Sequence, residues 1–81
     1  MRKYDEVYSA IVDYLRNELR VPIHTNINPN SSISRSMGID TDDLTFLLIP
    51  DLEKKFQRKL TNIQWSQLET VEQIARAFAG E

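Results

Sequence analysis

The sequence predicts an all-α fold in a single small domain that spans residues 1–81, and three observations point to it. Only two glycines and three prolines interrupt the chain of 81 residues. Apolar residues recur at the three- and four-residue spacing of amphipathic helices, and no stretch alternates as a strand does. No cysteine is present, so packed apolar faces rather than disulfides must stabilise a domain of this size.

Charge and hydropathy exclude several classes of function. Ten Lys and Arg residues against twelve Asp and Glu residues give a formal net charge of −2, which provides no attractive field for nucleic acid. The first residues are charged where a secretory signal has its apolar segment, and the longest apolar run covers only residues 46–49. We therefore expect a cytoplasmic protein without a membrane span.

The first predicted helix runs from Lys3 to Arg20. Polar residues fill one side of it, and Pro22 is predicted to end it because a proline disfavours helical geometry in the preceding residue. The apolar face consists of Tyr4, Val7, Tyr8, Ile11, Val12, Tyr14, Leu15 and Leu19. At about 27 Å, this helix is expected to span nearly the whole domain.

A polar segment from Ile23 to Gly38 is predicted to be a long loop. Its asparagine and serine side chains bond to nearby backbone and favour turns over regular structure. Four apolar residues are predicted to pin the loop to the core: Ile23, Ile27, Ile33 and Met37. Loops of this length are uncommon in compact domains and are often functional.

A second helix is predicted to begin among Asp40, Asp42 and Asp43, whose carboxylates suit the positive end of a helix dipole. Its buried positions are predicted at steps of four through Leu44, Leu48, Leu52 and Phe56, widened by Leu47 and Ile49. Pro50 removes a backbone hydrogen bond and crowds the carbonyl of Phe46. We therefore expect a kink or a restart of the helix at this point.

Residues 60–68 are predicted to form a connector with a short helical turn that carries Ile63, Trp65 and Leu68. The last helix is predicted to open at Thr70, because Gln73 follows at the spacing of a capping box. Its buried residues are predicted to be Val71, Ile74, Ala75 and Phe78, before a stop at Gly80.

The chain offers few residues for catalysis or metal binding. The aspartates at the start of the second helix lack the alternating ligands and the glycine of a calcium loop, so we expect a helix cap there. His24, the one histidine, stands alone in the loop and is predicted to lie on the surface. No nucleophile, base and orienting group come together in the sequence, so we predict that the chain is not an enzyme.

Two surface patterns bear on possible partners. A basic cluster stands at the predicted end of the second helix: Lys54, Lys55, Arg58 and Lys59. Cations suit that end of a helix dipole, and we interpret the cluster as a solvated face rather than a docking patch. Gly38 between two helices is also typical of a helix-turn-helix, but the aspartates that follow would meet DNA phosphate with like charge. DNA binding therefore stands as a second alternative.

Several short segments, in their order, resemble the acyl carrier protein superfamily. They are Asn28-Pro29, Ser31-Ser32-Ile33, Met37-Gly38-Ile39-Asp40-Thr41, Leu52-Glu53-Lys54-Lys55-Phe56 and Leu68-Glu69-Thr70-Val71-Glu72-Gln73-Ile74. The resemblance covers nearly the whole chain and rests on the order of the segments as much as on any one of them. It implies a four-helix bundle with a long first loop, three main helices and a short third helix.

The resemblance also implies an attachment site. In typical members, an Asp-Ser-Leu motif at the start of the second helix carries 4'-phosphopantetheine on its serine, where helix amides and dipole favour an anion. Here Asp40 matches the aspartate, but Thr41 stands where the serine belongs and Asp42 where the leucine belongs. The interval from Asp40 to Phe56 is one residue longer than is usual in the family. Asp42 is therefore an alternative equivalent of the serine. Ser36 is the nearest serine upstream.

Two functions stay open within this resemblance. In the first, a pantetheine arm on Thr41, or on Ser36, tethers an acyl intermediate for fatty-acid or specialised lipid synthesis. In the second, which the missing serine favours, the fold is a protein-interaction or regulatory module that uses the exposed face of the second helix and the long loop. The candidate contacts for acyl-processing enzymes or a regulatory target are Asp40, Asp42, Asp43, Lys54 and Lys55.

Overall fold

A computed structural model describes residues 2–61 and 67–80 of the chain. Helices contain 59% of these residues, and no strand occurs in either range. Within these ranges the β-type pairing consists of an isolated antiparallel bridge between Ser32 and Thr70. The predicted all-α fold is therefore confirmed for the part of the chain that the structure describes.

Helix α1 comprises Lys3–Asn17. Val7, Ile11 and Leu15 are completely buried and follow one another at steps of four. Four further residues of the predicted apolar face pack partly buried against the core: Tyr4, Tyr8, Tyr14 and Leu19. The amphipathic pattern thus places α1 with one side against the core, as the sequence predicts.

The end of α1 differs from the prediction. The helix stops at Asn17 instead of Arg20. Arg20 adopts a left-handed backbone with a φ of 57°, and the N–H of Val21 donates to the C=O of Leu15 at 2.9 Å. Because a left-handed residue closes the last turn, α1 ends before Pro22 has any effect on it.

Arg16 braces the segment that follows α1. Its guanidinium donates to the carbonyl oxygens of Val21, at 3.4 Å, of Pro22, and of Thr25, at 2.7 Å. The N–H of Thr25 donates to the C=O of Pro22 at 2.9 Å and closes a tight turn. Ile23 lies in this turn and is 91% exposed, so the prediction that it pins the loop to the core is wrong. Because the bonds to Arg16 fix the backbone of the turn, its tip faces solvent.

A short helix interrupts the predicted long loop. Helix α2 comprises Ile33–Ser36, and the side chain of Ser32 caps its N-terminus. The structure therefore corrects the prediction of an irregular segment through Gly38. Ile33 is completely buried, and Ile27 and Met37 are partly buried, so three of the four predicted anchors of the loop are confirmed.

The second predicted helix forms one continuous helical segment, α3, over residues 41–56. It is α-helical over Thr41–Asp43, π-helical over Leu44–Leu48 and α-helical again over Ile49–Phe56. In the π-turn the N–H of Ile49 donates to the C=O of Leu44, five residues back. The disturbance predicted at Pro50 takes the form of this π-turn, which accommodates the missing N–H without ending the helix.

Burial along α3 follows the predicted steps of four with one exception. The buried side consists of Leu44, Leu48 and Leu52, with Phe56 half-buried at the end. Ile49 is also buried, as predicted. Leu47 is 45% exposed, so the prediction that it widens the buried face is wrong. Because a π-turn takes in an additional residue, it rotates Leu47 away from the core.

Helix α4 comprises Val71–Ala79 and opens with the predicted capping box. The Oγ1 of Thr70 accepts the N–H of Gln73 at 3.1 Å, and the Oε1 of Gln73 accepts the N–H of Thr70 at 3.0 Å. The predicted buried residues are confirmed: Val71, Ile74, Ala75 and Phe78. Gly80 ends the helix with a left-handed φ of 80°.

The long loop supplies further caps to α4. The C=O of Ser31 accepts the N–H of Val71 at 3.1 Å, and the C=O of Pro29 accepts the N–H of Glu72 at 2.9 Å. A helix leaves its first N–H groups without partners inside the helix, so these bonds satisfy the start of α4. Ser31 is itself buried. This part of the polar loop therefore has a structural role.

Two contacts show that α1 and α3 are antiparallel. The Nζ of Lys3 lies 4.9 Å from the centre of the Phe56 ring, so the start of α1 meets the end of α3. Tyr14, near the end of α1, lines a cleft together with Asp51 of α3. Positions along the two helices therefore run in opposite order.

Helices α3 and α4 end side by side. The Nη1 of Arg58, just after α3, lies 3.5 Å from the place that a Cβ atom would take at Gly80. Buried residues of all four described helices form one core cluster, which Val21, Ile39 and Leu60 of the connections complete.

The connector between α3 and α4 is described at its two flanks. Leu60 is buried, and Leu68 is partly buried against the core. The predicted short helical turn with Ile63 and Trp65 lies outside the described residues.

Candidate functional site

The outer side of α3 carries an exposed apolar pair. Phe46 is 70% exposed and Leu47 is 45% exposed, although both belong to the most apolar run of the chain. Pro50, four residues beyond Phe46, is exposed as well. Aromatic and apolar side chains grouped on a surface are typical of sites that contact another molecule. The π-turn therefore presents a candidate contact face.

Carboxylates precede this apolar pair on the same helix. Asp40 and Asp42 are exposed, and Asp43 is half-buried. Asp42 stands four residues before Phe46, and Asp43 stands four residues before Leu47, so they are neighbours on the helix surface. Two of the three predicted acidic contact residues, Asp42 and Asp43, thus lie beside the apolar pair on the helix.

The two lysines predicted as contacts differ in their surroundings. Lys54 and Lys55 lie in the last turn of α3, where cations complement the helix dipole. The Nζ of Lys55 pairs with the Oδ2 of Asp51 at 3.3 Å. Lys54 is exposed, and no residue of the described ranges forms an ion pair with it. Lys54 is therefore the freer of the two for contact with another molecule.

The two hydroxyl residues considered for cofactor attachment belong to different elements. Thr41 is the first residue of α3. Ser36 ends α2, and its Oγ accepts the N–H of Ser32 at 3.2 Å. Gly38, with a left-handed φ of 68°, turns the chain between them. Ser36 thus takes part in capping α2, whereas Thr41 stands at the helix start that the resemblance singles out.

An open cleft of about 360 Å³ lies between α1 and α3. Its lining is mostly polar: Asp13, Tyr14, Asn17, Glu18, Asp51 and Lys55. The Oδ2 of Asp51 is buried and accepts no hydrogen bond within the described ranges, but the nearby ammonium of Lys55 compensates its charge. The cleft differs from the largely apolar pockets that bind small molecules.

Burial raises the pKa of Tyr14 at the edge of this cleft. Desolvation of the phenol is the largest cause, followed by the negative charges of Asp51, Glu18 and Asp43. Burial likewise raises the pKa of Tyr8. Both phenols are therefore protonated and uncharged at neutral pH.

The described residues give little support to other kinds of site. No group of three or more His, Cys, Asp or Glu side chains among them is arranged to hold a metal ion. No helix among them has the length and apolar character needed to cross a bilayer. His24 is exposed, as predicted. Helix α2, before the Gly38 turn, has four residues, about one helical turn, and is short for a helix-turn-helix.

The sequence pattern predicts no exposed position for Phe46 and predicts Leu47 to lie in the core. One signal in the sequence could have found them. The apolar run Phe46-Leu47-Leu48-Ile49 takes more than one helical turn, so its four side chains cannot all face the same side. At least one had to be exposed.

Comparison with known proteins assigns no family. The chain matches no protein-family model, no curated protein and no solved structure. The fold and the surface therefore define a small all-α domain with an acid-flanked apolar face on α3.

Proposed function

We propose that the chain is a diverged acyl-carrier-like domain that acts by docking to protein partners rather than by carrying an acyl group. The exposure of Phe46 and Leu47 beside Asp42 and Asp43 carries this proposal. Such a face suits a partner with an apolar groove and a base opposite these carboxylates. The proposed partners are acyl-processing enzymes or a regulatory target of acyl-chain metabolism.

The arrangement of helices supports the acyl-carrier-like assignment. Three main helices, α1, α3 and α4, occur with a long connection after the first. The first two of these are antiparallel, and the last two end side by side. The order of the three main helices agrees with the resemblance, and the short third helix that it also implies lies outside the described residues.

Docking through this face combines two effects. Burying the Phe46 side chain in a partner's groove is worth roughly 1.5–3 kcal/mol. The carboxylates of Asp42 and Asp43 raise the association rate with a partner that places bases opposite them and lower it with one that places acids there. Salt screens these exposed charges, so the rate should fall as ionic strength rises.

The residues at the start of α3 do not fit the standard attachment of 4'-phosphopantetheine. Neither Thr41 nor Asp42 offers the primary hydroxyl of a serine, and the methyl group of a threonine crowds an attack that tolerates little misplacement. The hydroxyl of Ser36 accepts a backbone N–H at the start of α2. A carrier function is therefore our second candidate, favoured by the position of Thr41 at the first residue of α3.

Intact mass measurement separates the two candidates. The chain is incubated with coenzyme A and a broad-specificity phosphopantetheinyl transferase, and we expect no gain in mass. Thr41→Ser is the matched variant because it supplies a primary hydroxyl at the same place. A mass gain of the wild type that Thr41→Ala abolishes would establish the carrier function instead.

Site-specific photo-crosslinking tests the docking face. A photoreactive phenylalanine analogue replaces Phe46 in one variant and Ser9, exposed on α1, in the control. We expect discrete adducts from position 46 only, and their loss when Asp42 and Asp43 are both changed to Lys. Equal adducts from both positions, or none from position 46, would contradict docking through α3.

A further inference from the structure

The exposed side of α3 has a definite order of charge. At steps of four, Asp42, Phe46, Pro50 and Lys54 are all exposed, so the helix presents an acid, two apolar residues and a base. We call these four residues the α3 stripe. From its first to its last residue the helix rises about 18 Å.

The π-turn keeps the α3 stripe on one side of the helix. Residues four apart drift steadily around a regular α-helix, because its turn takes 3.6 residues. The π-helical part, Leu44–Leu48, lies inside the stripe and takes an additional residue into its turn. The drift is thereby reduced, and the acid and the base stay nearer to the same face.

A stripe with this order is complementary to itself. When two copies of α3 pack antiparallel, Asp42 of each copy faces Lys54 of the other, and Phe46 faces Pro50. Such a pair has two-fold symmetry, the commonest symmetry of protein dimers, and side chains at steps of four form a ridge that packs between those of another helix. Parallel packing would place each charge against its like.

We propose that the α3 stripe binds the α3 stripe of a second copy of this chain in an antiparallel, two-fold pair. This inference rests on the proposed function, because it names a second copy of the chain as a further partner of the same docking face. The two charged ends are free for the contact. Within the described ranges neither Asp42 nor Lys54 has an ion-pair partner, whereas Lys55 is paired with Asp51.

Mixed charge favours a second copy over a partner of one sign. A uniformly basic surface would attract Asp42 but repel Lys54, and an acidic surface would do the reverse. The stripe needs a partner with a base opposite its acid and an acid opposite its base, separated by apolar residues. The chain provides that surface itself.

The pair should be weak and reversible. One helix face buries less than the roughly 1,200–2,000 Å² of a standard stable interface. Phe46 and Pro50 lie at the centre of the contact, and the charges lie at its rim, where salt screens them. Dimerisation should therefore weaken at high salt without disappearing.

Sedimentation velocity of the full chain over a range of concentrations tests the proposal. We expect a monomer–dimer equilibrium for the wild type and a weakening of about tenfold or more for Phe46→Ser. Asp42→Lys and Lys54→Asp should each weaken the dimer, since each places like charges opposite one another twice. Asp5→Lys, the same change of charge at an exposed position of α1, is the control that should leave the dimer unchanged.

Mixing the charge variants gives the sharpest result. Chains with Asp42→Lys carry two bases on the stripe, and chains with Lys54→Asp carry two acids, so the mixture should form a heterodimer more readily than either variant dimerises alone. The double variant Asp42→Lys/Lys54→Asp should recover the homodimer. The proposal would be overturned if the mixture formed dimers no more readily than either variant alone, or if the wild type stayed monomeric.

The result of the dimerisation test can be distinguished from that of the crosslinking test of docking. Circular dichroism of each variant shows whether the helices are retained, so that loss of the dimer is not loss of the fold. A monomeric wild type whose position 46 crosslinks to a different protein would overturn the second copy and leave docking in place. A monomer that crosslinks to nothing from position 46 would overturn both.

Discussion

At the scale of single residues, two non-glycine residues of the ranges 2–61 and 67–80 adopt a left-handed backbone. Arg20 after α1 has a φ of 57°, and Gln57 after α3 has a φ of 51°. This conformation costs an ordinary residue about 1–2 kcal/mol, whereas Gly38 and Gly80 adopt it freely. Two of the four left-handed positions therefore carry backbone strain that glycine would avoid.

We expect Gln57→Gly to raise the free energy of unfolding by about 0.5–1 kcal/mol. Gln57 is exposed, and it ends α3 through its backbone N–H, which donates to the C=O of Glu53 and is retained in glycine. Urea denaturation measures the change. The control Gln57→Ala keeps the Cβ atom and should stay within about 0.5 kcal/mol of the wild type. A loss of stability with glycine would show that this turn is not strained.

At the scale of elements, the π-turn in α3 determines which apolar residues are buried. Leu44 and Leu48, at its two ends, are buried, while Phe46 and Leu47 between them are exposed. Pro50 follows directly and lacks the N–H that a regular α-helix would need there. The element that absorbs the proline thus also turns Leu47 outward, beside Phe46.

We expect Pro50→Ala to raise the free energy of unfolding by less than about 1 kcal/mol. A proline strained in a helix interior costs about 3 kcal/mol, but here the wider turn already accommodates the ring. Equilibrium unfolding in urea checks this value, with Lys54→Ala at the next exposed step of α3 as the control for helix propensity. A gain near 3 kcal/mol would mean that the π-turn relieves none of the strain.

Elements specified by nearby residues were predictable, and those that depend on distant contacts were not. The capping box of Thr70 and Gln73 acts over three residues and is confirmed. The outward position of Ile23 depends on bonds from Arg16 in another element, which no local pattern reveals. Leu47 fits the apolar face of a regular α-helix but not that of a π-turn.

The candidate site was also predictable only where nearby residues determine it. The carboxylates at the start of α3 follow from simple helix electrostatics, and the structure places Asp42 and Asp43 in its first turn. Phe46 lies opposite Leu44 and Leu48 even on a regular α-helix, whereas the exposure of Leu47 follows from the π-turn, which the sequence indicates only as a disturbance at Pro50. The charged half of the surface was therefore visible in the sequence, and the apolar half was visible only in part.

At the scale of the whole molecule, the helices pack into a small volume. The radius of gyration of 11.5 Å is close to the value of about 12 Å expected for a folded chain of this length. Tyr14 lies where α1 and α3 meet, so carboxylates of α3 and the carboxylate of Glu18, just after α1, act on it. Its ionisation therefore reports on the packing of the two helices together.

The raised pKa of Tyr14 predicts that the folded chain loses stability in alkaline solution. Its pKa in the folded chain is raised above the ordinary value of 10.0, first by desolvation. The resulting stabilisation is present below the pKa of the unfolded chain and is lost as the pH rises through the folded pKa. We expect the free energy of unfolding to fall above pH about 10, and to fall less steeply in Tyr14→Phe. Urea unfolding at a series of pH values compares the wild type with Tyr14→Phe. If the free energy of unfolding fell equally in both, Tyr14 would not be the cause of the loss.

The caps that the polar loop gives to α4 join the two halves of the chain. The carbonyls of Pro29 and Ser31 hold the N–H groups of Glu72 and Val71, which closes a loop of about 40 residues around α2 and α3. Neither the polar loop nor the start of α4 can open without breaking these bonds. The two segments should therefore unfold locally as one cooperative unit, so that the last helix is no more prone to fraying than the loop that caps it.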